Sequence, residues 1–261
     1  MNPKLIVPTL TTLLPVYSAT GAITVYAEYH LGETGSLGAN NLPLDSSGNG
    51  RDMVNEISGS AATVASAGVY AANSTAYLST AGGGNEGWYS SGLFNTLPTD
   101  NFAFGVFARA ASVGAPEGDV FTVGGSNGSF KLSLAGNGWA ASAHNVDWIA
   151  AANGVSGSFA ADTWVHLALI RSGGATTFYI NGAAQGSTYA GTPVHNTPHI
   201  SVAPGGSSYF DGHIDEARVV TFTSGESAAN ILGTLQGVPE PSAALLGGVG
   251  LLGLLRRRRD S

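Results

Sequence analysis

Three tryptophans lie among glycine, asparagine, aspartate and serine, which are residues expected around a bound sugar. They occur in GNEGWYSSG (Trp88 and Tyr89), AGNGW (Trp139) and HNVDW (Asp147 and Trp148). Aromatic faces stack on pyranose C–H groups, while amides and carboxylates orient the hydroxyls. We therefore select these five residues as candidate ligand-binding residues. For each tryptophan the alternative, a buried position in the core, remains open.

The acidic residues are not spaced for glycoside hydrolysis. Retaining glycosidases hold two carboxyl groups about 5 Å apart, which an E-x-D-x-E run on one strand face can supply. The chain has no such run, because Glu117-Gly118-Asp119 lacks the third acidic residue and follows Pro116. A cysteine nucleophile is also absent from the sequence. We therefore expect no enzymatic activity.

Two patterns resemble metal-ligand spacing, but each has a simpler structural explanation. Residues 45–56 (DSSGNGRDMVNE) have the oxygen spacing of a calcium-binding loop, yet the eighth position is Asp52 instead of an apolar residue. We interpret the DSSGNG part as a tight turn. His195 and His199 are four residues apart, but Pro198 disfavours the helix that would bring them together. We interpret both histidines as solvated side chains of a turn.

Charge and composition limit the classes of partner. Residues 23–237 contain fifteen acidic and five basic residues, so their net charge is about −10. Nucleic-acid phosphates are bound by lysine and arginine, and this stretch has no basic patch. The absence of cysteine excludes disulfides, thiol catalysis and cysteine-ligated zinc. We expect no nucleic-acid partner.

Alternating apolar residues predict an all-β domain. In NFAFGVFAR, Phe102, Phe104, Val106 and Ala108 share one face, and SFKLSL alternates in the same way. WVHLALIR is apolar on both faces, which predicts a central strand and makes His166 a packed core residue. The SGG and NG sequences that follow predict the turns of a three-stranded meander. Many short strands with glycine-rich turns favour a sandwich or jelly roll.

Two more elements are predicted near the end of the domain. HIDEARVVTF at residues 213–222 predicts a last long strand. TSGE at residues 223–226 has the spacing of a capping box, so we predict a short helix over residues 225–235.

The chain ends in an apolar segment followed by four arginines. Residues 243–255 contain no charged or polar side chain, and with residues 238–242 the stretch reaches eighteen positions, enough to span a bilayer. The positive-inside rule places Arg256, Arg257, Arg258 and Arg259 in the cytoplasm. We therefore predict a transmembrane tether at the C-terminus.

Pro239-Glu240-Pro241, the glycine- and leucine-rich segment and the arginines together resemble the PEP-CTERM sorting signal, over residues 237–261. This resemblance implies recognition by an exosortase, a membrane processing enzyme. It also implies an exported protein of a Gram-negative bacterium, first tethered to the inner membrane and then placed at the cell surface or in the extracellular matrix. Residues 1–22 have the order of a signal peptide: one lysine, an apolar run and small residues.

Four stretches resemble the concanavalin A-like sandwich in its laminin G-like form. In order, they are VYAEYHLGE, DSSGNG, WVHLALIRSGGATTFYING and FDGHIDEARV, and they extend from residue 25 to residue 219. The resemblance implies an all-β jelly-roll sandwich of two antiparallel sheets over residues 23–236, followed by a transmembrane tail helix. Fold alone does not decide the function, since this fold hosts lectins, adhesins, glycosidases and spacers.

The same resemblance implies a structural calcium ion. Related sandwiches hold one through the aspartate of the late strand and groups near the N-terminal strand, which points to Asp215, with Glu33 as a second candidate. Calcium prefers oxygen ligands, which an acidic domain supplies. The alternative is a salt bridge from this strand to Arg171 or Arg218. Because strand neighbours point to opposite faces, at most one of Asp215 and Glu216 should face the core.

Together these features predict an exported, non-enzymatic surface or matrix protein whose sandwich binds a glycan or another surface polymer. One alternative is a structural spacer of the envelope or biofilm that has no ligand. The other is a divergent polysaccharide-active enzyme.

Overall fold

Fourteen strands and one α-helix follow each other in the computed structural model, which describes residues 22–57, 63–65, 74–80, 87–111, 118–124, 130–135, 138–143, 160–189, 197–203 and 209–237. The first seven strands are β1 (Ile23–Tyr29), β2 (Asn55–Ile57), β3 (Thr63–Ala65), β4 (Tyr77–Ser79), β5 (Gly87–Tyr89), β6 (Phe102–Ala110) and β7 (Gly118–Val123). The others are β8 (Phe130–Ala135), β9 (Gly138–Ala143), β10 (Val165–Ser172), β11 (Ala175–Ile180), β12 (Ala183–Tyr189), β13 (Pro198–Ile200) and β14 (Gly212–Phe222). The helix α1 (Ala228–Leu235) follows β14, and a single 3-10 turn lies at Ala39–Asn41.

The strands form two antiparallel sheets, as the sequence predicted. The eight-stranded sheet has the order β12-β11-β10-β6-β14-β4-β3, and β1 pairs with β14. The six-stranded sheet has the order β2-β5-β13-β7-β8-β9. The predicted meander is β10-β11-β12, and its second turn has positive φ at Asn181 and Gly182, which an Asn-Gly turn requires.

The core lies between the sheets and follows the alternation seen in the sequence. Phe102, Phe104, Val106 and Ala108 of β6 all belong to it, and so does every second residue of β8 from Phe130. Because successive strand side chains point to opposite faces, the residues between them lie on the face that points away from the other sheet, here called the outer face. The predicted central position of β10 is confirmed, since β10 lies between β11 and β6.

The helix α1 covers one end of the outer face of the eight-stranded sheet. Its apolar residues and those of the sheet beneath form a second buried cluster, which contains Ala103, Ala168, Ile170, Val220, Phe222, Ile231, Leu232 and Leu235. The predicted end at Leu235 is confirmed, but the predicted start at Gly225 is wrong. Gly225 has a φ of 90°, which no helix contains, and the N-cap is Ser227, whose hydroxyl accepts from the Asn230 amide.

The predicted terminal segments fall outside the described residues. These segments are residues 1–21 of the signal peptide and residues 238–261, which carry the Pro-Glu-Pro motif, the apolar tail and the arginines. Within the described part of the chain, no helix combines the length and hydropathy needed to cross a bilayer.

Candidate functional site

A β-bulge in β14 buries two adjacent carboxylates. The register between β14 and β6 shifts between Asp215 and Arg218, and Glu216 has a φ of 48° in the left-handed region. Both Asp215 and Glu216 are buried. Burial does not mean that both face the core between the sheets, because the register partner of Asp215 is Phe107 on the outer face. The additional residue of the bulge breaks the two-residue alternation and lets adjacent residues be buried together.

Glu33 joins these two carboxylates. One ligand atom from each of Glu33, Asp215 and Glu216 lies within 4.8 Å of the others. The Oε1 atom of Glu33 accepts hydrogen bonds from the Ser74 hydroxyl at 2.9 Å and the Thr75 amide at 2.9 Å. Its Oε2 atom is buried and, among the described residues, has no hydrogen-bond partner. The structure thus brings together both residues selected from the sequence as calcium ligands.

The Asp215 carboxyl group has the properties of a cation ligand. Both of its oxygens are buried without a hydrogen-bond partner in the described part of the chain. Burial raises the pKa of Asp215 to about 8, with the Glu216 and Glu33 charges acting in the same direction, although the nearby Ser74 hydroxyl and Glu216 amide lower it. Burying a carboxylate without a donor or a cation is costly. Unpartnered oxygens of Asp215 and Glu33, together with the adjacent Glu216, fit the hard oxygen-ligand set that calcium takes.

The salt-bridge alternative applies to Glu216, not to Asp215. The Arg218 guanidinium donates to the carboxylates of Glu216 and Glu28, and its Nη1 donates to the Leu235 carbonyl at 3.1 Å. The other oxygen of Glu216 lies 2.7 Å from His30 Nδ1, and this hydrogen bond raises the pKa of His30. Arg218 therefore ties β14 to β1 and to the last turn of α1.

Arg171, the other arginine considered for that salt bridge, lies elsewhere. Its Nε donates to the Thr99 carbonyl at 2.9 Å and lies 3.9 Å from Asp100 Oδ1. Neither arginine considered from the sequence contacts Asp215 among the described ion pairs.

Two of the selected tryptophans are core residues. Trp88 and Trp139 are buried in the cluster between the sheets, and the Trp139 ring lies 6.0 Å from that of Phe210. Their ring faces are therefore not available as exposed stacking surfaces, so the core alternative holds for both. Asp147 and Trp148 lie outside the described residues.

Tyr89, the neighbour of Trp88, points to the outer face of the six-stranded sheet and belongs to a row of polar residues. This polar row consists of successive register partners on β2, β5, β13, β7, β8 and β9, namely Asn55, Tyr89, His199, Thr122, Lys131 and Ser142. The rings of Tyr89 and His199 stack with their centroids 5.7 Å apart and their planes 14° apart. An aromatic face thus lies beside amide, hydroxyl and ammonium groups.

The two ends of the polar row are more open than its middle. Asn55, Tyr89, Lys131 and Ser142 are partly exposed, whereas His199 and Thr122 are buried. His199 is therefore not the solvated turn residue that the sequence suggested, because it lies within β13. Burial lowers its pKa to about 4, and its Nδ1 donates to the Thr197 carbonyl at 3.0 Å.

One carboxylate lies next to the polar row. Lys131 Nζ lies 3.0 Å from Asp119 Oδ2, and the Ser133 hydroxyl donates to Asp119 Oδ1 at 2.7 Å. Both oxygens of Asp119 thus have a polar or charged neighbour within the protein. Asp119 is neutralised by Lys131 and orients its ammonium group along the outer face.

The DSSGNG stretch is a structural turn. Asp45 Oδ1 accepts from the amides of Glu28 and Ser47, and its Oδ2 accepts from the amide of Arg51. These hydrogen bonds hold the pKa of Asp45 below its ordinary value, although burial acts in the opposite direction. With both oxygens occupied by backbone donors, Asp45 closes a turn, and this supports the interpretation made from the sequence.

Comparisons with known proteins agree with this architecture. A laminin G family profile, described as the concanavalin A-like lectin/glucanases superfamily, matches residues 82–226, more than half of the chain. No curated protein matches the sequence.

Among solved structures, domain 4 of AbnA, a GH43 extracellular arabinanase from Geobacillus stearothermophilus solved with arabinotriose, is similar with a TM-score of 0.58 and 16% identity. That match covers 82% of this chain and 98% of the arabinanase domain. Trypanosoma rangeli sialidase in complex with 2,3-difluoro-KDN is similar with a TM-score of 0.53 and 15% identity, over 81% of this chain and 32% of the sialidase. The chain thus spans about a third of the sialidase, and at these identities the likeness establishes the fold alone.

Proposed function

The chain belongs to the concanavalin A-like lectin/glucanases superfamily, and from that premise we propose that it is a non-enzymatic carbohydrate-binding domain of an exported surface or matrix protein. The proposed binding surface is the outer face of the six-stranded sheet. The observation that carries this proposal is the polar row, with its stacked Tyr89 and His199 rings. The likeness to an arabinanase domain solved with arabinotriose is consistent with a carbohydrate partner.

The chemistry of the polar row suits a sugar. Pyranose rings have apolar C–H faces and hydroxyl edges, so they are bound by an aromatic ring flanked by donors and acceptors. Tyr89 supplies the ring, and Asn55 on the adjacent strand supplies an amide that can accept and donate. Both residues are partly exposed, so the Tyr89 end of the row is where we place the ligand.

The carboxylates support binding without catalysis. A glycosidase needs a second carboxyl group about 5 to 10 Å from the first on the sugar-binding face. Within the described strands of the six-stranded sheet, Asp119 is the carboxylate on the outer face, and Lys131 neutralises it. The Glu33–Asp215–Glu216 group belongs to the other sheet and is largely buried. We therefore assign it to an ion and not to catalysis.

A spacer without a ligand is the second candidate function. This function is favoured by the burial of His199 and Thr122 in the middle of the polar row. Because these two side chains are not accessible, a long polymer cannot contact the row over its whole length. A glycan array probed with the full chain separates the two functions. Binding to a defined set of glycans supports the carbohydrate-binding function, and a blank array supports the spacer.

The proposed ion is structural calcium, held by Asp215 and Glu33 with Glu216 beside them. Its support is the set of buried, unpartnered oxygens on Asp215 and Glu33. A bound calcium ion would neutralise this buried negative charge and join β14 to the segment that follows β1.

Export and sorting complete the proposal, and the support for them is the sequence of the two ends. Residues 1–22 resemble a signal peptide, and residues 237–261 resemble a signal processed by an exosortase in the inner membrane of a Gram-negative bacterium. In this arrangement the sandwich lies outside the cytoplasm, and the arginines hold the tail inside until it is processed.

Replacing Arg256, Arg257, Arg258 and Arg259 with glutamine should impair sorting, because the positive charges fix the orientation of the tail. The measurement is immunodetection of the full chain in cell fractions and culture medium of an exosortase-containing host. Replacing the same four arginines with lysine is the matched control and should leave sorting intact. If the glutamine variant is distributed like the parent, the proposed role of the arginines is wrong.

A further inference from the structure

We propose a second binding site on the outer face of the eight-stranded sheet, which recognises the carboxylate of an acidic sugar through Arg109. This site lies on the opposite side of the sandwich from the polar row. It occupies the end of β6 and β14 that α1 leaves uncovered, since α1 packs on Ala103 and Val220 at the other end. The register places Arg109 opposite His213 on this face.

Three aromatic rings surround Arg109. The ring centroid of Tyr77 lies 5.3 Å from that of Trp164 and 5.1 Å from that of His213, and the rings meet edge to face. The guanidinium carbon of Arg109 lies 5.2 Å from the Tyr77 centroid and 5.3 Å from the Trp164 centroid. Trp164 and His213 are partly exposed and the Arg109 side chain is 15% exposed, so this cluster reaches the surface.

The hydrogen bonds of Arg109 hold it in place but leave it incompletely satisfied. Its Nη2 donates to the Tyr77 hydroxyl at 2.9 Å, which fixes the plane of the guanidinium. Its Nη1 lies 3.2 Å from Asp162 Oδ1. Its Nε is buried and has no hydrogen-bond partner among the described residues. Arg109 is therefore positioned by one neutral group and neutralised by one carboxylate.

The carboxylate that pairs with Arg109 is far more exposed than the others. The side chain of Asp162 is 72% exposed, so water and a ligand can both compete with it. The carboxylates that pair with Lys131, Arg171 and Arg218 are 3% to 36% exposed, namely Asp119 (5%), Asp100 (36%), Glu28 (19%) and Glu216 (3%). Arg109 is thus the paired cation of the described domain whose partner is most easily replaced.

The neighbourhood of Arg109 suits a sugar acid better than an acidic peptide. A planar guanidinium matches a carboxylate with two parallel hydrogen bonds. The partly exposed Trp164 ring next to it adds an apolar aromatic edge of the kind that packs on pyranose C–H groups. A hexuronate combines both features in one sugar: a pyranose ring with a C–H face, and a carboxylate attached to that ring. An aspartate or glutamate side chain offers the carboxylate without that face.

Two sites on opposite faces would let one domain hold two polymer chains. The polar row accounts for neutral glycans, and the Arg109 site accounts for acidic ones, although the domain as a whole is negatively charged. A matrix protein with this arrangement links a neutral and an acidic polymer chain, because each chain binds a different face of the same domain.

The test is calorimetric titration of the full chain with tetragalacturonate at low ionic strength. Asp162→Asn should bind the tetramer about two- to fivefold more tightly than the parent, because it removes the internal carboxylate that competes for Arg109. Asparagine tolerates the positive φ of 56° at this position, so the turn is kept. Arg109→Gln should weaken binding about tenfold or more, because it removes a charge-assisted hydrogen bond.

Three controls give the outcomes that would overturn this site. Asp100→Asn also removes one negative charge, but the Asp100 carboxylate contacts the buried Arg171 and not Arg109. An equal gain in affinity for that variant would mean that the gain comes from the net charge of the domain and not from Arg109. Equal binding of fully methyl-esterified tetragalacturonate would exclude carboxylate recognition. If oligoglutamate binds as tightly as tetragalacturonate, the site recognises acidic peptides and the assignment to a sugar acid is wrong. Tyr89→Ala should leave tetragalacturonate binding unchanged, so failure here is distinguishable from failure of the polar row.

Discussion

Saturating calcium should raise the melting temperature of the domain by about 5 to 10 °C, and Asp215→Asn should abolish that response. Binding to the folded state alone stabilises it by about 3 kcal/mol when free calcium is a hundred times its Kd. For a domain of this size, each kcal/mol corresponds to about 2 to 4 °C. The response depends on Asp215 because both of its oxygens are buried and neither is paired with a cation or makes a full hydrogen bond among the described residues.

The same carboxyl group predicts the pH dependence without calcium. Burial raises the pKa of Asp215 to about 8 in the folded state, whereas the unfolded chain titrates near the ordinary value of 3.8. Folding therefore takes up a proton between these two values, and stability falls as pH rises through this window, by up to about 1.4 kcal/mol per pH unit. The contribution is fully present below pH 4 and is lost above pH 8. Calcium replaces the proton, so its stabilising effect should grow from pH 6 to pH 8.

Thermal melts of the full chain at pH 6 and pH 8.5, with calcium or with chelator, measure both effects. In chelator at pH 8.5, Asp215→Asn should be more stable than the parent, because it has no charge to bury. Asp119→Asn is the matched control, since Asp119 is also buried but is paired with Lys131, and it should keep the calcium response. If the parent has the same melting temperature in calcium and in chelator at both pH values, the proposed calcium site is wrong.

Arg218→Ala should cost about 3 to 5 kcal/mol of unfolding free energy, the largest loss that we expect from a single charged residue. The substitution removes the guanidinium from the buried carboxylate of Glu216 and the partly buried one of Glu28, which keep His30 as a basic neighbour. It also removes the donor to the Leu235 carbonyl at the end of α1. The measurement is denaturant unfolding of the full chain at pH 7.

A second substitution tests the cause of that loss. Adding Glu216→Gln to Arg218→Ala should recover part of the stability, because it removes one uncompensated buried charge. Glu216→Gln alone should destabilise, since it weakens the contacts with Arg218 and His30. If Arg218→Ala lowers the unfolding free energy by less than about 1 kcal/mol, the contacts of Arg218 do not make the contribution to stability proposed here.

The fold was predictable because most of its strands follow simple alternation. Phe102 to Ala108 and the β10-β11-β12 meander were placed correctly from the two-residue period and the Asn-Gly turn. The bulge at Glu216 was not, because it lies in the pairing of β14 with β6, and pairing partners are not written in the local sequence. The helix start was missed because TSGE has the spacing of a capping box, whereas Gly225 has a positive φ and the N-cap is Ser227.

The candidate sites were predictable only in part. Asp215 and Glu33 were selected by resemblance, and the fold brings them together although they are far apart in the sequence. Tyr89 was selected with Trp88 from one motif, and strand alternation then sends one ring outward and the other into the core. His199 and Thr122 carried no local signal, because the polar row exists only once six strands are in register.

The central claim is that the outer face of the six-stranded sheet binds a glycan through Tyr89. Its most direct test is a binding isotherm of the full chain and of Tyr89→Ala with the best neutral glycan of the array, with a melting curve for each protein. Losing one stacking surface should weaken binding about five- to tenfold, while the melting temperature stays within a few degrees of the parent because Tyr89 is partly exposed. Trp88→Ala is the contrasting control and should lose about 3 to 5 kcal/mol of stability, because its ring is buried. Unchanged glycan binding by Tyr89→Ala, or no glycan bound by the parent, would contradict the claim.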